Sequence, residues 1–176
     1  MSWLSIFIAL ICISVFEAAG CNYIKLFGVG PEFLLLGILY FGLNTTKETG
    51  ALCGLIGGIL KMALYGVHPL ILIIYTSVGF FAGYFKEAVY KESPLAQAIL
   101  SFITVMYQAL LHNLLIHSLG LPYHRALLFI SIPSAIYTSA LAPLIFILLE
   151  LLLPPKQIEY KEIIFKKRVF EGGRPE

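Results

Sequence analysis

Charged residues are scarce in this chain of 176 residues, and aspartate is absent altogether. Charged side chains make up only 12% of the sequence, whereas apolar residues make up 59%. Soluble domains usually carry about 25% charged residues, so the composition excludes an ordinary water-soluble fold. The formal net charge of only +2 also gives no reason to expect nucleic-acid binding.

Groups that carry chemistry are equally few. The three cysteines lack metal-ligand spacing, and we interpret them as inert packing residues. His112 and His117 would face different sides of a helix, and no aspartate is present to complete a metal site. The chain also lacks the Gly-x-Ser-x-Gly and His-Glu-x-x-His motifs of hydrolases. We therefore expect no enzyme activity, no metal and no cofactor.

The chain does contain six apolar segments, at 3–19, 33–43, 50–67, 69–85, 95–117 and 126–153. A helix needs about 17–25 mainly apolar residues to cross a bilayer core about 30 Å thick, and several segments approach or reach that length. The pattern predicts an all-α integral membrane domain over residues 1–153 with six transmembrane helices, followed by a basic cytoplasmic tail at 154–176. The second segment is short, so it either includes Pro31, Glu32 and residues 44–46 or is re-entrant.

The basic residues indicate the orientation of the chain. If all six segments cross, nine lysines and arginines lie on the side of the C-terminus and two, Lys25 and Arg125, lie on the other. Cytoplasmic loops of membrane proteins are enriched in basic residues, so this split places the C-terminus in the cytoplasm. The N-terminus would share that side, or would lie outside if the second segment is re-entrant.

Glycines recur at helical spacing on two neighbouring segments. Gly50, Gly54 and Gly58 are four residues apart, Gly57 lies beside them, and the next segment repeats the spacing with Gly79 and Gly83. Such stripes let two helix backbones approach closely within a membrane. We expect these glycines either to pack the third and fourth helices together or to dock a partner's transmembrane helix.

Lys61 is a charged residue inside an apolar segment. Its long side chain could extend to the membrane surface, since it lies about six residues from the outer end of its segment. The alternative is an ion pair with Glu17, which the same topology places in the outer half of the first helix. Such a pair would act as a clamp between helices or form the floor of an outward cavity.

Polar residues also occur in the last two segments. Gln108 and His112 share one face of the fifth helix, beside Asn113, and we interpret them as interhelical hydrogen-bonding residues, with a ligand or partner contact as the alternative. Pro133 and Pro143 predict kinks in the sixth helix. Nearby hydroxyls could satisfy the backbone groups that these prolines free, at Ser131, Ser134, Thr138 and Ser139.

The order of three motifs resembles a known family. They are Pro31-Glu32-Phe33-Leu34-Leu35-Leu36, then Gly50-x-x-x-Gly54-x-x-Gly57-Gly58-Ile59-Leu60, then Gly79-Phe80-Phe81-Ala82-Gly83-Tyr84. Over roughly residues 1–153 the chain resembles the bacterial rod-shape-determining protein MreD family. In that family the glycine-rich helix usually ends in Gly-Leu-Leu-x-Asp or a similar sequence, whereas here Lys61 falls near the acidic position.

The resemblance implies a multi-pass protein of the bacterial cytoplasmic (inner) membrane, without enzyme activity. The implied fold is similar to that of the substrate-binding subunits of energy-coupling-factor transporters. Members of the family bind the single-span protein MreC. Together with the MreB filament, the RodA glycosyltransferase and its penicillin-binding transpeptidase, they direct side-wall peptidoglycan synthesis and rod shape.

A second function is compatible with the same helical plan. The polar groups of Lys61, Gln108 and His112 would suit the substrate-binding subunit of an energy-coupling-factor transporter for a vitamin or a metal. Such subunits commonly carry Ala-x-x-x-Ala on the first helix, and here the nearest match is Ser5-x-x-x-Ala9. We therefore expect first a non-enzymatic membrane scaffold of the cell-elongation complex, as the resemblance implies. The transport subunit is the alternative.

Overall fold

Six α-helices account for most of residues 3–25, 29–86, 93–120 and 126–153, which are the part of the chain that this computed structural model describes. They are α1 (Trp3–Ile24), α2 (Phe33–Asn44), α3 (Lys47–Tyr65), α4 (Leu70–Phe85), α5 (Pro94–Ser118) and α6 (Ala126–Leu152). The prediction of an all-α chain with six helices is confirmed within these residues. The predicted basic tail at 154–176 lies outside them.

Three of the described helices are long and apolar enough to cross a membrane. These spans are Trp3–Gly20, Pro94–Ser118 and Ser131–Leu152, while α2 and α4 are apolar but shorter. Many large apolar side chains are exposed on the outside of the bundle, among them Ile8, Leu114 and Leu144. A soluble domain rarely exposes apolar surface on this scale, so the fold is compatible with a membrane protein.

Local sequence signals explain where several helices begin and end. Thr46 caps α3, since its hydroxyl accepts a hydrogen bond of 3.3 Å from the N–H of Thr49. Gly66 ends α3 in the left-handed conformation (φ 62°), which glycine adopts without steric cost. Pro94 opens α5 directly after Ser93, at a position where its missing N–H costs no hydrogen bond.

Helix α2 lies at the centre of the bundle and contacts all five other described helices. Residues 33–43 are all buried. The surrounding helices follow in the order α1, α3, α4, α5 and α6, with each consecutive pair in contact. The closest associations are the α3–α4 and α5–α6 hairpins, so α2 is the common core against which both hairpins pack.

An extended segment leads into α2 and places the N-terminus of this helix inside the bundle. This segment runs along α6, where the Ser134 hydroxyl donates to the Gly30 carbonyl (3.3 Å) and the Thr138 hydroxyl accepts from the Glu32 N–H (3.1 Å). At the other end of α2, the Tyr40 hydroxyl donates to the Leu153 carbonyl (3.2 Å). The second segment thus follows α6 over much of its length, partly as extended backbone and partly as helix.

This arrangement corrects the predicted role of the hydroxyls of α6. Helix α6 continues through Pro133 and Pro143 without an interruption. Ser134 and Thr138 bond to the backbone that leads into α2, and Ser139 bonds to Ile136 of its own helix. The prediction from the prolines was therefore wrong for Ser134, whose one hydroxyl proton goes to Gly30, whereas Thr138 accepts from Glu32 and keeps its own proton for a carbonyl of α6.

Candidate functional site

Three charged side chains from separate parts of the chain meet inside the bundle. Lys61, near the end of α3, places its Nζ in contact with Glu17 Oε1 of α1 and 3.1 Å from Glu32 Oε2, just before α2. The exposed fraction of the side chain is 12% for Lys61, 3% for Glu17 and 22% for Glu32. We call these three residues the ionic cluster.

The ionic cluster also fixes the buried start of α2. The second oxygen of Glu17 accepts a hydrogen bond of 2.6 Å from the N–H of Leu34, in the first turn of that helix. The first N–H groups of a helix have no partner within it, and the helix dipole favours a negative charge there. Glu17 therefore holds the lysine of α3 with one oxygen and the end of α2 with the other.

Two tyrosines complete the surroundings of the ionic cluster. The hydroxyl of Tyr75, on α4, donates to Glu32 Oε2 over 3.2 Å, and the Tyr75 side chain is fully buried. Lys61 Nζ lies 4.5 Å from the ring centroid of Tyr65, within the range of a cation–π interaction. With Thr138 bonded to the backbone of Glu32, side chains of α1, α3, α4 and α6 thus converge on the start of α2.

The geometry makes the ionic cluster a clamp between helices. Removing one partner of a buried ion pair typically costs about 3–5 kcal/mol, since the remaining charge stays uncompensated. Lys61 contacts both carboxylates, whereas each carboxylate has at least one further hydrogen-bond donor. The lysine is therefore the member whose loss leaves the most charge unpaired.

The sequence left two interpretations of Lys61, extension to the membrane surface or an ion pair with Glu17. The structure contains the ion pair. The sequence reasoning missed Glu32, which it treated as an extension of the second apolar segment. A glutamate directly before a short helix is a signal that could have identified it, because acidic residues are favoured at helix N-termini.

The glycine stripes lie in the contact between α3 and α4. A Cβ atom added to Gly50 would collide with the Gly79 carbonyl, and one added to Gly79 would collide with the Gly50 carbonyl. A Cβ on Gly54 would meet the carbonyl of Tyr75. The two backbones therefore touch directly along this face, and a side chain on any of these glycines would push the helices apart.

The remaining glycines of the pattern also lie in contacts between helices. A Cβ on Gly83 would lie 2.6 Å from the Cα of Lys47, and one on Gly58 would lie 3.0 Å from the Cα of Leu72. Gly57 faces α2, where a Cβ would lie 2.5 Å from Ile38 Cδ1. All six glycines are buried within the chain. Five of them lie in the predicted contact between α3 and α4, and Gly57 packs α3 against α2.

The polar residues of α5 are bonded differently from the expectation. Asn113 is buried, and its amide donates to the Ala109 carbonyl of its own helix (2.8 Å) rather than to another helix. Among the described residues, the amide oxygens of Gln108 and Asn113 and the hydroxyl of Thr76 on α4 are buried without a hydrogen-bond partner. The amide oxygen of Gln108 therefore does not make the interhelical hydrogen bond that we predicted for Gln108 and His112, and His112 is half-buried.

Metal-ligating side chains do not gather within the described residues, where no group of three His, Cys or Glu residues could hold an ion. Cys53 is fully buried in the core, as the packing interpretation requires, whereas Cys12 is exposed on α1.

No protein-family model matches the chain, and no curated protein or solved structure matches it. Its functional interpretation depends on the residues and their geometry.

Proposed function

We propose that this chain is a non-enzymatic membrane scaffold of the bacterial cell-elongation complex, of the MreD kind. In this role it binds MreC, acts alongside MreB, RodA and its penicillin-binding transpeptidase, and helps to direct side-wall peptidoglycan synthesis. It lies in the cytoplasmic membrane with its C-terminus in the cytoplasm. The order of the three motifs and the distribution of lysine and arginine support this proposal.

The observation that carries the proposal is the ionic cluster. Lys61, Glu17 and Glu32 engage one another and the start of α2, so the charges at the centre of the bundle contribute to cohesion. A catalyst or a carrier needs polar groups that are directed at its substrate. A scaffold needs a bundle whose shape stays fixed while partners bind to its outside.

The glycine stripes are not available to a partner, so partner surfaces must lie elsewhere on the bundle. Since Gly50, Gly54 and Gly79 are enclosed between α3 and α4, a partner helix has to contact the exposed apolar faces of the bundle. Membrane lipids cover whatever part of these faces the partners leave free. Four helices each expose an isoleucine on these apolar faces, namely Ile8, Ile59, Ile103 and Ile147.

Copurification and crosslinking test the proposal together. A photo-crosslinking residue at each of these four isoleucines should capture a single-span partner from one or two neighbouring helices, and the partner should copurify in a fixed ratio. Depletion of the protein should turn rod-shaped cells round. Rod shape kept after depletion, together with crosslinks to lipid alone at all four positions, would overturn the proposal.

One observation favours the transport subunit as a second candidate. The unpartnered oxygens of Gln108, Asn113 and Thr76 are hydrogen-bonding groups that a bound ligand could satisfy. A thermal-shift screen of the purified protein with vitamins and metal ions separates the two functions. Stabilisation by one compound at micromolar concentration supports transport, and a flat screen supports the scaffold.

A further inference from the structure

We draw no further inference here: the strongest candidate, the apolar groove between α4 and α5 lined by Val78, Phe81 and Ile103, carries none because nothing in the structure shows what covers it.

Discussion

Replacing Lys61 with methionine tests the role of the ionic cluster. The change keeps most of the length of the side chain and removes its charge, so Glu17 stays buried with a backbone N–H as its remaining donor. Leaving a buried charge without its partner costs about 3–5 kcal/mol. We therefore expect Lys61→Met to lower the free energy of unfolding by about that amount.

The Glu17→Gln variant and the double variant separate charge from shape. In Glu17→Gln, Lys61 keeps Glu32 at 3.1 Å, so we expect a smaller loss than in Lys61→Met. In the double variant no charge is stranded on Glu17, and about 2 kcal/mol or more of the loss should be recovered, since the two residues are in contact. Additive losses would contradict a clamp.

Unfolding in mixed micelles, followed by far-ultraviolet circular dichroism, measures these differences. Lys47→Met is a matched control, because Lys47 is exposed at the start of α3 and its loss should change stability by less than about 0.5 kcal/mol. If Lys61 merely extends to the membrane surface, Lys61→Met will be as harmless as this control. That result would refute the reasoning about the ionic cluster.

Three further substitutions test other contacts. We expect Gly79→Ala to separate α3 from α4 and to lower the melting temperature markedly. Gly20→Ala is its control and should be harmless, because a Cβ there would meet its nearest neighbour at 3.7 Å. Equal melting temperatures of the two variants would contradict the packing. Tyr75→Phe should lower the free energy of unfolding by about 1.5–3 kcal/mol, because it removes a hydrogen bond to the charged Glu32. An unchanged free energy of unfolding would exclude that bond. Gln108→Met should raise the free energy of unfolding by about 1 kcal/mol if its buried oxygen serves no ligand, and a loss of stability would show that the amide is used.

The sequence predicted the elements of this fold better than their arrangement. Apolar runs with Pro94 and Gly66 at their ends indicate where helices begin and end, because these signals are local. The spacing of Gly50, Gly54 and Gly79 indicates close packing for the same reason. The shortness of the second segment indicated that it is unusual, but no local signal indicates that α2 is the central helix, since α4 is similarly apolar.

The ionic cluster was only partly predictable. Two opposite charges in apolar segments, Lys61 and Glu17, indicate a pair once a topology is assumed. Glu32 joins them because the chain enters α2 from inside the bundle, and this entry depends on contacts with Thr138, more than a hundred residues later.

The enclosed position of α2 has a consequence for how the chain is made. A twelve-residue helix cannot reach from one face of a bilayer core to the other, and hydrocarbon offers no partner for its free backbone ends. The start of α2 draws on two other helices: Glu17 of α1 accepts from the N–H of Leu34, and Thr138 of α6 accepts from the N–H of Glu32. The hydrogen bonds at the start of α2 are therefore complete only after α6 has been made. A chain truncated before α6 leaves the N–H of Glu32 without this acceptor and should be a target for membrane quality control.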